Sequence, residues 1–257
     1  MTNAKTVKLL WWLGLVVAPA VLLTIELFHP ANFTKDPGAY QYLSIPHADP
    51  YNHDHSALAY FGPQWWFWMH MIQTPLVGLV AVGLWLLVGR VDDSDGIIAV
   101  ALAWLSRVAT FVFLIYYTAL DTIGGTGLGR LIINTQTLAA ADPSQLAGPK
   151  LTPEQVAGVK VLLDYTWVDP WVGGVGSFFS LTGSWMAFFA CLFAAAALAL
   201  AKNNKMWWPP LIVLVASGWE LQMSHASPHG PIAFGLLIAA AVWMWWSERR
   251  VPQLKPA

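Results

Sequence analysis

The stretch IIAVALAWLSRVATFVFLIYYTAL, residues 97–120, decides the fold, because Arg107 is the one charged residue in an otherwise apolar run. A helix needs about 20 apolar residues to cross a bilayer core roughly 30 Å thick, and this run is long enough. Five further runs are near or above that length, the last two only if flanking residues are helical too: Leu9–Phe28, Trp65–Val88, Val175–Ala201, Trp207–Met223 and Pro231–Trp246. The sequence therefore predicts an all-α, polytopic membrane protein with six transmembrane helices in one bundle.

Composition supports a single integral membrane domain over residues 1–257. Hydrophobic residues make up 57% of the chain and charged residues 11%, whereas soluble domains carry about 25% charged residues. The apolar runs do not alternate with polar residues, which argues against the strands of a membrane β-barrel. A net charge of −1 gives no reason to expect a nucleic-acid partner. Cys191, the one cysteine, excludes an intrachain disulfide and a thiolate metal cluster.

The distribution of basic residues predicts the orientation. Lysine and arginine in short flanking segments favour the cytoplasmic side of a membrane. If six helices cross the bilayer, these residues share one side: Lys5, Lys8, Arg90, Lys202, Lys205, Arg249, Arg250 and Lys255. We therefore expect a plasma-membrane or bacterial inner-membrane protein with both termini in the cytoplasm and the first span retained.

The predicted outer connections, residues 29–63 and 121–174, are much longer than the inner ones. Within the second, Thr152-Pro153-Glu154-Gln155 has the spacing of a capping box, and apolar residues then recur at helical intervals. This pattern predicts a short amphipathic helix over about Pro153–Tyr165 on the outer face. The glycine-rich stretch 124–129 is read as a hinge after the third span or as a close approach of two backbones. Ser227-Pro228 is read as the N-cap and first residue of the last helix.

All seven histidines fall on this outer side, at or near the ends of spans or in the outer loops. Glu26 and Glu220 lie within apolar spans at about the same depth, and a charge in lipid is costly unless it is paired. Neutral imidazoles with carboxylates suit Zn, Cu, Fe or Ni. The candidate metal ligands are His70, His225, His229, His29, Glu26 and Glu220.

Spacing gives these candidates unequal support. Glu26-x-x-His29 puts two ligands on one helical face, as in di-iron bundles, but both side chains can equally reach a wet interface. His70 lies inside an apolar run near Pro75, where the helix is expected to bend; the alternative is a hydrogen-bonded core histidine. His225-x-x-x-His229 suits a metal or a simple interfacial turn. For the loop histidines His47, His53 and His55 three interpretations are open: they bind metal, they cover the membrane site, or they are simply solvated.

Several functions fit this outer-leaflet site. The favoured one is an integral membrane metalloprotein that uses a transition metal (Fe, Cu or Zn) or haem b, as an oxidoreductase of lipid-like or small apolar substrates or as an electron-transfer subunit. One alternative is a proton- or cation-coupled transporter that uses Glu26, His70 and Glu220 as a relay. Another is an accessory subunit that contacts other membrane subunits.

A metal-dependent hydrolase is a further possibility. Asp121 after the third span and the late His225-x-x-x-His229 resemble the pattern of membrane metal-hydrolases of the alkaline ceramidase kind. The resemblance covers these few residues, the number of spans differs, and no residue roles are carried over.

Overall fold

The computed structural model describes residues 4–29, 39–44, 62–142, 150–174, 176–201 and 208–250, and these residues form helices and no strand. The helices are α1 (Ala4–Glu26), α2 (Ala39–Ser44), α3 (Pro63–Leu87), α4 (Ile97–Ala140), α5 (Pro153–Trp167), α6 (Phe178–Leu200), α7 (Trp208–Met223) and α8 (His229–Arg250). The all-helical prediction is confirmed.

Five of the described helices are long and apolar enough to cross a membrane: α1, α3, α4, α6 and α8. Large apolar side chains point outward along them; Val108 and Phe111 on α4, for example, are each 57% exposed. Such a surface suits lipid better than water. The five helices therefore suggest a membrane protein. The sixth predicted span corresponds to α7, whose 16 residues fall short of the roughly 20 needed, so six spans remain a prediction.

Small residues let the long helices pack closely. A Cβ on Gly14 of α1 would lie only 2.7 Å from the Cα of Gly83 on α3, so the two backbones touch where both residues lack a side chain. Between α4 and α6, the Ser106 hydroxyl donates to the Ala190 carbonyl at 2.9 Å. Close contact through small residues and hydroxyl groups is the usual basis of helix association in lipid.

The third span does not end at Leu120, so the prediction of an outer loop from residue 121 was wrong. The chain continues through a π-helical turn, Asp121–Gly127, into a further helix that ends at Ala140. Isolated glycines cost a helix up to about 1 kcal/mol each. Here Gly124 and Gly125 are buried, and side chains there would press on Trp167 and His70. Tight packing thus offsets the low helix propensity of glycine. The glycine-rich stretch is part of a helix, and it lets the side chains of Trp167 and His70 approach the helix backbone closely.

The helix predicted over Pro153–Tyr165 is present as α5, which runs two residues beyond the predicted end, and its position on the outer face remains a prediction. The Thr152 side chain accepts from the Gln155 amide, and the Gln155 side chain accepts from the Thr152 amide at 2.9 Å, so the predicted capping box is present. Asp164 of α5 accepts from the backbone amide of Tyr40 at 2.9 Å. Through this contact α5 and α2 are held together beside the C-terminal part of α4.

The predicted cap of the last helix was wrong. α8 begins at His229, after a cis Ser227–Pro228 peptide bond. The Gly230 amide donates to the Ala226 carbonyl at 2.9 Å. The connection between α7 and α8 is therefore a tight turn, which carries His225 inward.

Candidate metal centre

Three histidines from distant parts of the chain converge in the described structure. His29 follows the end of α1, His70 lies in the second turn of α3, and His225 lies in the turn between α7 and α8. One potential ligand nitrogen from each lies within 4.8 Å of the other two. The centroid of the His29 ring is 4.7 Å from that of His225 and 5.4 Å from that of His70. This arrangement directs three imidazoles towards one small volume.

The orientation of His70 is fixed by its own helix. Its Nδ1 donates to the Trp66 carbonyl, one turn earlier, at 2.8 Å. Because a carbonyl only accepts, the proton sits on Nδ1 and the Nε2 lone pair stays available. Metal-binding histidines commonly donate their second ring nitrogen in this way, which fixes the tautomer and the angle of the ring. His70 therefore has the hydrogen bonding of a ligand.

Aromatic side chains enclose the three imidazoles. The Trp66 ring packs 4.4 Å from His70 and 5.1 Å from His29, and its indole N–H donates to the Gly124 carbonyl at 3.0 Å. The Tyr117 ring lies 5.4 Å from His225. Both aromatic residues are buried, and burial lowers the pKa of His225 to about 4. Burial and the surrounding aromatic rings thus limit the access of water to the cluster.

A second polar layer lies about one helical turn deeper. Glu26 precedes His29 by three residues on α1, and Gln73 follows His70 by three residues on α3. Tyr117 and Asp121 are one turn apart on α4. All four are buried, and Gln73 Nε2 donates to the Tyr117 hydroxyl at 3.3 Å. Glu26 was a predicted metal ligand; the structure puts it in this deeper layer.

Glu220 and His229, two further predicted ligands, form a pair of their own. His229 Nδ1 donates to Glu220 Oε2 at 2.8 Å, and their side chains are 38% and 25% exposed. Neither residue belongs to the described group of three converging ligands. The turn before α8 separates His225 from His229, so these two side chains take part in different contacts. His47, His53 and His55 lie outside the described residues.

The sequence pattern missed Tyr117 and Trp66 as parts of the site. Tyr117 had a usable signal, since it precedes Asp121 by four residues and so shares its helical face. Trp66 precedes His70 by the same interval, but it stands among Trp65 and Trp68 near the start of a span, a pattern that is typical of an interfacial aromatic belt.

No protein-family model, curated protein or solved structure matches the chain. The fold and the site therefore define its class by themselves: a helical, membrane-type chain with a cluster of three histidines, two of them buried, near one end of its helices.

Proposed function

We propose that this chain is an integral membrane metalloprotein that binds one first-row transition ion through His29, His70 and His225. The single observation that carries the proposal is the convergence of three ligand nitrogens within 4.8 Å. Two imidazole nitrogens bound to one ion at about 2.0–2.1 Å lie at most about 4.2 Å apart. Adjustments of less than an ångström bring the three side chains to ligand distance.

The ring geometry favours a non-haem ion over haem b. Two axial histidines of one haem stand on opposite sides of a porphyrin, with ring centroids about 6 Å apart. The rings of His29 and His225 are 4.7 Å apart and meet edge to face at 85°. Three histidines bound tetrahedrally to one ion have centroids about 5 Å apart, close to the values observed here.

Three protein ligands leave at least one coordination position for an outside molecule, which is the usual state of a catalytic metal site. Imidazole ligands suit Fe, Cu and Zn, and we propose an oxidoreductase centre that uses Fe or Cu. The walls formed by Trp66 and Tyr117 suit a small apolar or lipid-like substrate that arrives from the bilayer. Within such a site the protein supplies the ligands, holds His70 in one tautomer and excludes water.

The proposed function is tested by metal analysis and spectroscopy of protein purified in detergent without chelators. We expect close to one Fe or Cu per chain and no Soret band. A Soret band would shift the assignment to haem. Stoichiometric Zn would retain the metal site but favour hydrolysis over redox chemistry. Purified, folded protein that takes up none of the three ions would overturn the proposal and favour a carrier or an accessory subunit.

We also propose that the site faces the outside of the cell, with both termini in the cytoplasm, because of the basic residues in the inner flanks. Cys191 is buried, so cysteines introduced at exposed positions can be labelled selectively. A membrane-impermeant maleimide is expected to label Gly158→Cys on α5 in intact cells. It is expected to label Asp93→Cys, between α3 and α4, only after permeabilisation.

Labelling of Asp93→Cys in intact cells, with Gly158→Cys protected, would reverse the orientation. Equal labelling of both positions in intact cells, with a cytoplasmic marker protein protected, would contradict the arrangement in which α3 and α4 cross the membrane.

A further inference from the structure

The deeper polar layer contains buried acceptor oxygens that have no donors. Both carboxylate oxygens of Glu26, one of Asp121 and the side-chain oxygen of Gln73 are buried and lack a hydrogen-bond partner among the described residues. Glu26 and Gln73 are 0% exposed and Asp121 is 1% exposed. Buried polar groups are nearly always partnered, so a set of unsatisfied groups of one kind requires an explanation.

The positions of these groups on their helices bring them into one polar region. Glu26 and Gln73 lie three residues from His29 and His70, whose ring centroids are 5.4 Å apart. Tyr117 lies one turn before Asp121 on α4, and it interacts electrostatically with both carboxylates. Gln73 joins the same group through its 3.3 Å hydrogen bond to the Tyr117 hydroxyl. Three long helices, α1, α3 and α4, each contribute, and the group lies beneath the three histidines.

Local donors cannot neutralise this group. Gln73 directs one of the two N–H groups of its amide at Tyr117, and neither its second N–H nor the Tyr117 hydroxyl carries a positive charge. No lysine or arginine belongs to the described group. Two ionised carboxylates buried without a counter-charge are strongly unfavourable. Protonation or a bound cation removes that cost, and a cation also provides a partner for the unsatisfied oxygens of Glu26, Asp121 and Gln73 at once.

We propose a second cation site, formed by the oxygens of Glu26, Asp121 and Gln73, that takes a hard divalent ion of the Mg²⁺, Ca²⁺ or Mn²⁺ class. Carboxylate and amide oxygens are the ligands that such ions prefer, whereas imidazoles are preferred by Cu, Zn and Fe. The two carboxylates match the charge of one divalent ion. This site is separate in ligands and in ion type from the three-histidine site, and it does not depend on metal binding there.

The experiment uses Mn²⁺ as the probe, because its electron paramagnetic resonance signal distinguishes free from bound ion. Full-length protein is stripped of metal in detergent and titrated in a His70→Ala background, which removes a nitrogen ligand from the upper site. We expect one Mn²⁺ to bind per chain. Adding Glu26→Gln or Asp121→Asn should weaken this binding at least 10-fold, whereas Glu220→Gln, which removes a carboxylate already paired with His229, should leave it unchanged.

Pulsed resonance of the Mn²⁺-loaded His70→Ala protein gives a second measurement that does not require the carboxylate variants to fold. We expect no coupling to a directly bound imidazole nitrogen. The proposal would be overturned if the Mn²⁺ signal showed coupling to a directly bound imidazole nitrogen. It would also be overturned if no Mn²⁺ bound, or if Mn²⁺ binding survived both carboxylate substitutions. If the wild type binds Fe or Cu but no variant binds Mn²⁺, the proposed function stands and the second site does not. If Mn²⁺ binds as expected but the wild type takes up no Fe, Cu or Zn, only the oxygen site stands.

Discussion

His70→Ala is expected to remove most of the transition metal that the protein binds, with affinity falling by well over 10- to 100-fold. Substitutions of groups that merely orient a ligand already cost that much, and a direct ligand should cost more. His70 is 3% exposed, so water has little access to replace the lost nitrogen. The measurement is metal content per chain after dialysis against a weak chelator, with folding checked by gel filtration.

His229→Ala is the matched control. It also removes an outer-side histidine, but one that is partly exposed and hydrogen-bonded to Glu220, so metal content should stay close to that of the wild type. If folded His70→Ala kept the wild-type metal content, His70 would not be an essential ligand. Loss of metal in His229→Ala alone would instead assign the site to the pair with Glu220.

The long apolar helices could be predicted from sequence because their signal is local. The run at residues 97–120 is apolar over the thickness of a membrane, which favours a transmembrane helix. The capping box at Thr152 was equally readable, since both partners lie within one turn. The continuation of α4 past Leu120 could not be predicted from the sequence, because the helix at Gly124 and Gly125 is stabilised by contacts with residues remote in sequence.

The composition of the candidate site was predictable only in part. Depth along each span predicts one layer with Glu26, His70 and Glu220 and a shallower layer just above it with His29, Asp121, His225 and His229. Depth says nothing, however, about the direction of a side chain around its helix. The turn that separates His225 from His229 decided which of the two joins the cluster. The oxygen group went unrecognised because Gln73 and Tyr117 are unremarkable until α3 and α4 are packed together.

Gly125→Ala is expected to damage the site through shape alone, because no room exists for a methyl group at that position. A Cβ on Gly125 would lie 2.7 Å from the Cβ of His70 and closer still to the carbons of its ring. The ring is held by its hydrogen bond to Trp66, so it cannot turn away without losing that bond. Overpacking of a tight interior typically costs about 1–3 kcal/mol, and the displaced ring should also lower metal affinity.

Unfolding in mixed detergent micelles measures the stability effect, and Gly158→Ala is the control, since nothing lies within 4 Å of a Cβ there. That control should be neutral or slightly stabilising, because alanine favours a helix more than glycine does. The cause is isolated by combining Gly125→Ala with His70→Gly, which removes both the ring and the Cβ of His70 that the new methyl group would meet. Residues in contact show coupling of about 0.5–3 kcal/mol, so the Gly125→Ala penalty should shrink markedly in that background. An equal penalty with and without the His70 ring would show that α4 and His70 are not packed as described, and would remove the geometric basis of the three-histidine site.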